Sequence, residues 1–498
     1  MQEFSRHTSI PWFKCFFDPR FSYIERILIS AILTIAFVYA SSLVYAVCNN
    51  VLSYPLVTNI ESLQYPAWEQ PFPTIFICPL NRISKDGITK QVDKWILPKN
   101  ISKREMMLKL RSIPNGAYRM TKIDYPEIIE ETMAMNNVSM RRLFEEITLP
   151  CEEMIGLCKW KSKDIDCRDL FERVIQQDGH CCAFNYIHPK QEVKKRNIKN
   201  MEKMSGSGFA TGLKMSLFIN YSDAFSSFSS SLGYIIYAGD PGSYTDGRSL
   251  GRILRRRSAN FFSFTSTRIE RSENIMRLPV EYRACSGPEH QLSAFRKYTM
   301  SNCKTECIMR LCLKNCQCLP IIYPKYSDDQ RYCEFSDFRC LSTLRGAINY
   351  ISSGTNLTLY TDNKLEIENA RPCGCHPSCS IHHSFDVAVS SSPINMDILA
   401  KDLKTNISLD IAKEKYKTME YFCDVYVYSQ GNMLTKIITD IKYDVTELLG
   451  FIGTIASFTM GWSIICLIEI VHFLIQLALK YFIIKIENAR EVETIAVQ

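Results

Sequence analysis

The 498-residue sequence lacks any large excess of charge of one sign: 59 Lys and Arg stand against 52 Asp and Glu, a net +7. That balance offers no case for nucleic-acid binding. Charge is absent altogether from Ile27 to Val47, 21 residues, about the length that spans a hydrocarbon core. From Leu448 to Leu479 the only formally charged residue is Glu469. At about 1.5 Å per residue, one helix over that stretch would outrun a bilayer core of roughly 30 Å, so it must tilt, break or protrude. Two such runs exclude an ordinary soluble protein. A signal peptide fits the first run poorly, because the run exceeds the usual apolar core and 26 residues precede it. Lys and Arg are missing from Cys48 to Asn81, whereas Arg6, Lys14, Arg20 and Arg26 precede the first run and Lys480, Lys485 and Arg490 follow the second. Basic residues gather on the cytosolic side. Both termini therefore read as cytosolic, and residues 48–447 as external. Internal repeats and low-complexity tracts are absent too.

Two features of the intervening residues agree with an external location. Asn-x-Ser/Thr sequons begin at Asn100, Asn137, Asn220, Asn356 and Asn406. Of 21 cysteines, 18 lie between Cys78 and Cys423, as an oxidising compartment favours; Cys15, Cys48 and Cys466 lie apart. MSLFINY, GYIIYAG and FCDVYVY alternate with the period of strands. DLFERVIQQ and Asn302–Asn315 read as helices. The serine cluster at 226–231 and GDPGSYTDGRSLG read as loops. Arg255-Arg256-Arg257 reads as a solvated patch, with a protease-processing site as the alternative.

The densest cysteine region runs CKTECIMRLCLKNCQC (303–318), then Cys333 and Cys340, then CGCHPSC (373–379). Cys and His at such short spacing also suit tetrahedral Zn²⁺. In a secretory compartment disulfides compete for those thiols, so a framework of bridges is the better reading. Each bridge would stabilise by roughly 2–4 kcal/mol, mainly by restricting the unfolded chain. Spacing alone leaves the connectivity open.

Six ordered segments carry a resemblance: FDPRFSYIERI (17–27), PFPTIFICP (71–79), DLFERVIQQDGHCCAFNYI (169–187), EYRAC (281–285), the cysteine block, and LLGFIGTIASFTMGWS (448–463). With them the chain resembles the degenerin/epithelial sodium channel superfamily, most closely its pickpocket branch, from Phe4 to Glu469. The resemblance implies the pairs Cys78–Cys181, Cys158–Cys167, Cys285–Cys379, Cys303–Cys375, Cys307–Cys373, Cys316–Cys340 and Cys318–Cys333. Cys151–Cys182 is an additional candidate pair, and Cys312 and Cys423 stay unassigned. It also implies a fold: two transmembrane helices flanking a large disulfide-rich α+β ectodomain with a β-sheet palm and a helical thumb, three subunits around one pore. The expected segments are a cytosolic 1–26, spans at 27–47 and 448–479 with a break near 461–463, and a cytosolic tail at 480–498.

Before the second run, Asp440, Asp444 and Glu447 fall at steps of four and three, which on a helix share one face. In a trimer they would ring the outer mouth and concentrate cations; a solvated acidic face is the plain alternative. Gly450, Gly453 and Gly461 suit close helix packing in a bilayer. The resemblance gives two of them a further meaning. Gly450 matches a position where large side chains hold related channels open. Gly461-Trp462-Ser463 matches a Gly-x-Ser selectivity filter, with non-helical backbone tolerated at that depth because it lines a cavity. Glu469 falls at the inner end, where it attracts cations or snorkels. Three residues depart from relatives. Pro11-Trp12 stands in place of a gating His-Gly, Phe451 replaces an acid, and Trp462 is large for a filter centre. Arg283 replaces a tryptophan of acid-sensing relatives, which disfavours proton gating.

The resemblance thus implies a pore-forming subunit of a trimeric, voltage-insensitive, sodium-selective, amiloride-sensitive channel in the plasma membrane, sensory in role. A regulatory or ligand-sensing subunit that needs related subunits to conduct is the alternative. Its partners would be sodium ions, the lipid bilayer, homologous subunits (a heterotrimer favoured over a homotrimer) and an extracellular ligand. No cofactor, metal site or catalytic set is implied.

Overall fold

The computed structural model describes residues 21–190, 201–227, 231–245, 251–287, 289–353, 373–395 and 420–496, the last helix by backbone alone beyond residue 483. Pro11, Trp12, Asn356 and Asn406 lie outside the described residues. The chain divides into two compact units. Residues 1–57 and 440–498 form one, and residues 58–439 the other.

The first unit is helical. Helix Tyr23–Ser53 starts at a capping box, in which the Ser22 hydroxyl accepts from the Glu25 amide and the Glu25 carboxylate accepts from the Ser22 amide at 2.7 Å. It extends beyond the uncharged run at both ends, and its 18-residue apolar window has a mean hydropathy of 2.3. Ala40 is its only buried residue. The helix packs against a second one, Val445–Met460, and the Lys442 amide, just before that helix, donates to the Pro55 carbonyl at 2.7 Å. Ile464–Ala496 follows, apolar to Ile483. Large apolar side chains along these helices face outward, Phe458 at 88% exposure among them. In water such a surface would be strongly unfavourable; lipid or neighbouring chains resolve it.

The second unit is built on two sheets. The larger runs, in order, Leu56–Pro66, Met433–Ile441, Ser258–Arg271, Glu420–Ser429, Leu213–Ile219, Ile155–Trp160 and Lys163–Ile165. Its central strand Ser258–Arg271 also pairs antiparallel with His382–Pro393 along its length. The smaller sheet orders Arg252–Ile253, Tyr234–Gly239, Thr74–Pro79, Gly179–Phe184 and Phe171–Gln176. Side chains of both sheets meet in one core, where Phe72 packs edge-on against Trp160, Phe184 and Phe264. A second core gathers the helices between Lys85 and Ile147 with Met300–Cys316 and Phe338–Ser353.

MSLFINY, GYIIYAG and FCDVYVY are strands, and Asn302–Asn315 lies in a helix. DLFERVIQQ differs from its helical reading. Only Cys167–Leu170 is helical, and Phe171–Gln176 is a strand that pairs with Gly179–Phe184. The two-residue connection Gln177-Asp178 and Gly179 at φ +99° turn the chain back on itself, so pairing overrides helical periodicity. Ser226 and Ser227 of the serine cluster end the strand Ala224–Ser227 and are not loop.

Eight disulfides are formed among the described residues. Cys78–Cys181 joins neighbouring strands of the smaller sheet, Cys151–Cys182 ties that sheet to the short helix Cys151–Met154, Cys158–Cys167 links strand Ile155–Trp160 of the larger sheet to the short helix Cys167–Leu170, and Cys285–Cys379 closes 94 residues. Helix Met300–Cys316 is held by Cys303–Cys375 and Cys307–Cys373 one turn apart, and by Cys316–Cys340 at its end; Cys318–Cys333 follows. The cysteines of CGCHPSC are all bonded, so they offer no thiolate for zinc.

Candidate functional site

Helix Val445–Met460 is 16 residues long, about 24 Å. It ends on Gly461 at φ 65°, ψ 24°, the left-handed conformation that glycine reaches without Cβ strain. The Gly461 amide donates to Ser457 O at 2.9 Å and the Trp462 amide to Ala456 O at 3.4 Å. Residues 461–463 are non-helical, and helix resumes at Ile464, with the Ser463 carbonyl accepting from the Leu467 amide at 3.3 Å. The long apolar run therefore breaks, and it breaks at MGWS. A helix end leaves last-turn carbonyls without intrahelical donors, so the break supplies carbonyl oxygens together with the Ser463 hydroxyl. Gly461 and Ser463 are exposed on the chain. Trp462 between them is half-buried, its indole Nε1 enclosed and without a hydrogen-bond partner among the described residues. Ser463 Oγ lies 3.5 Å from the sulfur of buried Cys466.

The glycines bear on the packing explanation. A Cβ on Gly450, Gly453 or Gly461 would meet nothing within 4 Å. Close approach to this chain's own first helix is therefore not their purpose. Space for a neighbouring chain, or for a pore, remains. Phe451, beside Gly450, packs edge-on against Tyr443 with ring centroids 5.3 Å apart.

The acidic triplet does not lie on one helix. Asp440 lies in strand Met433–Ile441, half-buried, and its carboxylate accepts from the Ile441 amide, so it shares no helical face with the others. Helix begins only at Val445. Asp444 is its N-cap, and with Glu447 forms a capping box in which Asp444 accepts from Val445 N at 2.8 Å and Glu447 accepts from Asp444 N at 3.3 Å. The Asp-x-x-Glu spacing before an apolar run was the available signal for this cap. Both carboxylates are exposed. Glu469 is half-buried in the last helix, one turn before His472, which bonds Gln476 at 3.0 Å.

In the second unit, Arg283 is buried, donates to Cys285 O at 3.0 Å and Met276 O at 3.3 Å, and pairs with Glu289. The guanidinium is thus used within its own loop. The three described sequons differ in exposure. Asn100 and Asn137 are exposed, at φ 83° and 53°, each two residues before a serine that caps a helix; Asn220 is half-buried. Arg255, Arg256 and Arg257 are exposed in a turn whose Arg257 amide donates to Phe422 O at 2.7 Å. Cys312 and Cys423 are free and buried, and burial pushes the Cys312 thiol up to about 12 and raises Cys423 as well. Such thiols are poor nucleophiles.

Residues 4–473 match the family model described as "Amiloride-sensitive sodium channel". The chain belongs to the amiloride-sensitive sodium channel family. It is 22% identical to the sodium channel protein Nach of Drosophila virilis over 383 residues, covering 74% of this chain and 88% of that protein. It is 24% identical to Pickpocket protein 19 of Drosophila melanogaster over 439 residues, 84% of this chain and 79% of the relative. With acid-sensing ion channel 1A of Danio rerio it shares 22% identity over 491 residues, 94% and 87% of the two chains. The amiloride-sensitive sodium channel family is one of ion channels, not enzymes, and places this chain in the degenerin/epithelial sodium channel superfamily. Its architecture is two apolar helices flanking a disulfide-rich domain of sheets and helices.

Proposed function

We propose that the chain is a pore-forming subunit of a trimeric, voltage-insensitive, sodium-selective and amiloride-sensitive channel of the plasma membrane, sensory in role. Both termini are cytosolic, as the basic residues flanking the two apolar runs support. The observation that carries the reading is the left-handed break at Gly461, which leaves Gly461 and Ser463 exposed midway along a helix pair of membrane length. Non-helical backbone at that depth is tolerable where it lines a water-filled path. Three such segments would form a ring of carbonyl and hydroxyl oxygens, the narrow coordinating constriction that discrimination among monovalent cations requires. Gly450 occupies the gate position, Asp444 and Glu447 the outer mouth with Asp440 nearby in sequence, Glu469 the inner end, and Pro11-Trp12 the N-terminal gating position. Asn100, Asn137, Asn220, Asn356 and Asn406 are glycan acceptors in this orientation.

Trp462 favours a second reading. A large residue at the filter centre, already half-buried against its own chain, suits one strand of a mixed filter better than three identical ones. In that reading related subunits complete the pore, and this subunit contributes ligand sensing.

Sodium and potassium currents recorded from the chain alone and with related subunits, with Ser463 intact and as Ser463→Ala, test both. A sodium-over-potassium preference that falls in the variant supports the filter. Surface-expressed Ser463→Ala assemblies with wild-type selectivity would remove it. Sizeable selective current from the chain alone would eliminate the purely regulatory role.

A further inference from the structure

Tyr125 is an exposed phenol that neither the filter nor the gate uses. It stands at the corner between helices Ile113–Arg119 and Pro126–Met135, where it is the N-cap of the second at φ 57°, ψ 49°. A bulky side chain in the left-handed region is uncommon. Here Pro126 opens the helix at once, and the corner turns within residues 120–125. Lys109, from helix Lys103–Leu110, sets its Nζ 3.6 Å from the centre of the Tyr125 ring. That cation holds one face of the ring, and the residue is still 57% exposed. Among the described tyrosines of residues 58–439, only Tyr125 and Tyr282 are exposed. They differ in charge. Within five positions of Tyr125 stand Asp124, Glu127 and Glu130 against Lys122 alone. Within five of Tyr282, Glu281 stands against Arg277 and Arg283, and Cys285 is bridged. Asp124 and Glu127 are exposed, while Glu130 is half-buried and accepts from the Ser336 amide at 2.6 Å. No cysteine and no sequon falls within seven positions of Tyr125.

We infer that Tyr125 is a sulfation site, its phenolic oxygen taking a sulfuryl group from a nucleotide phosphosulfate donor in the secretory pathway. In that step Tyr125 Oη attacks sulfur, and the S–O bond to the donor phosphate breaks. The phosphate keeps the electron pair, and the phenolic proton passes to a base of the transferase. An enzyme that handles an anionic donor and an acidic acceptor segment presents a basic cleft. Asp124 beside the acceptor and Glu127 two residues on are the charges that such a cleft attracts. Tyr282, with its basic flanks, is disfavoured by the same field. The product carries a permanent negative charge beside Lys109, where an ion pair replaces the cation–π contact. The transfer needs a luminal Tyr125, so the inference rests on the external placement of residues 48–447 proposed above.

The test is labelling of secretory cells that express the full chain with radioactive sulfate, followed by enzymatic removal of N-glycans and tryptic mapping. Cleavage after Lys122 and Arg141 yields residues 123–141, which hold Tyr125 and the Asn137 sequon together. Label is expected on that peptide, stable to phosphatase and lost when chlorate blocks synthesis of the donor. Tyr125→Phe keeps the ring under Lys109, removes only the acceptor oxygen, and should abolish the label. Asp124→Asn combined with Glu127→Gln should cut it several-fold, and Tyr282→Phe should leave it unchanged. Label that survives Tyr125→Phe, or a phosphatase-labile group in its place, overturns the inference. Glycan addition at the sequons, read as a glycosidase-sensitive shift in size, reports the orientation separately. A glycosylated chain without label removes this site only, whereas a chain with neither removes the external placement and this site together.

Discussion

Gly461→Ala separates a filter from simple packing. Gly461 sits at φ 65°, ψ 24°, where an L-residue costs about 1–2 kcal/mol. The same substitution favours the competing unbroken helix by about 1 kcal/mol, the difference in helix propensity between Ala and Gly. Because a Cβ there would meet nothing within 4 Å, no clash adds to these effects. The two act on opposite states and sum to a swing of about 2–3 kcal/mol towards the continuous helix. At 1.4 kcal/mol per factor of ten, that is roughly a 30- to 150-fold shift. Gly461→Asn should shift far less, because Asn tolerates the left-handed region. The assay is the reversal potential under paired sodium and potassium solutions, in a subunit combination that conducts, with surface biotinylation as the control. Sodium preference should fall in the order Gly, Asn, Ala. Alanine channels at normal surface density with the wild-type ratio would refute the reasoning, leaving the break as a packing feature.

Four further outcomes are expected. Gly450→Val should raise constitutive current; since a Cβ there would meet nothing within 4 Å among the described residues, the effect is expected to come from a neighbouring subunit, and unchanged current in a surface-expressed assembly would reject the gate assignment. Asp444→Ala should weaken the helix start by about 1 kcal/mol, whereas Asp444→Ser keeps a capping oxygen and loses only charge; equal single-channel conductance in Asp444→Ser and wild type at low salt would eliminate the acidic ring. Replacing both Cys78 and Cys181 by Ala opens a separation of 103 residues and should cost about 4–5 kcal/mol, read as lost surface delivery and a lower melting temperature, with unchanged melting the contrary result. Burial, reinforced by Lys297 and Arg268, holds the His383 imidazole down at about 3. It stays neutral in the folded chain while the unfolded chain protonates near 6.5, so its contribution is full above that pH and declines as pH falls towards 3. His383→Phe should therefore reduce the loss of thermal stability between pH 7 and 5, and an unaltered slope would contradict this.

The uncharged runs and the over-long second one were legible because bilayer thickness sets a hard length, and the glycine marked where excess length could break. Register was less legible. Asp440, Asp444 and Glu447 share helical spacing, yet Asp440 belongs to MLTKIITDI, a strand held by pairing with Ser258–Arg271 across more than 160 positions. Phe171–Gln176 was misread for the same reason, since its partner strand and not its own periodicity decides its state. Cysteine spacing left many pairings open, and only resemblance narrowed them.

The sequons at Asn100 and Asn137 carry a practical consequence. Their third residues, Ser102 and Ser139, are the N-caps of helices Lys103–Leu110 and Met140–Ile147. Ser139→Ala would remove a sugar acceptor motif and a helix cap in one stroke, so a trafficking defect in that variant could not be ascribed to carbohydrate. Asn137→Gln is no cleaner, since it puts a longer side chain at φ 53°. Asn137→Asp leaves cap and backbone intact and deletes the acceptor amide alone, while Ser139→Thr retains all three. At these two positions, an acceptor-null allele that is not also a folding allele is an aspartate.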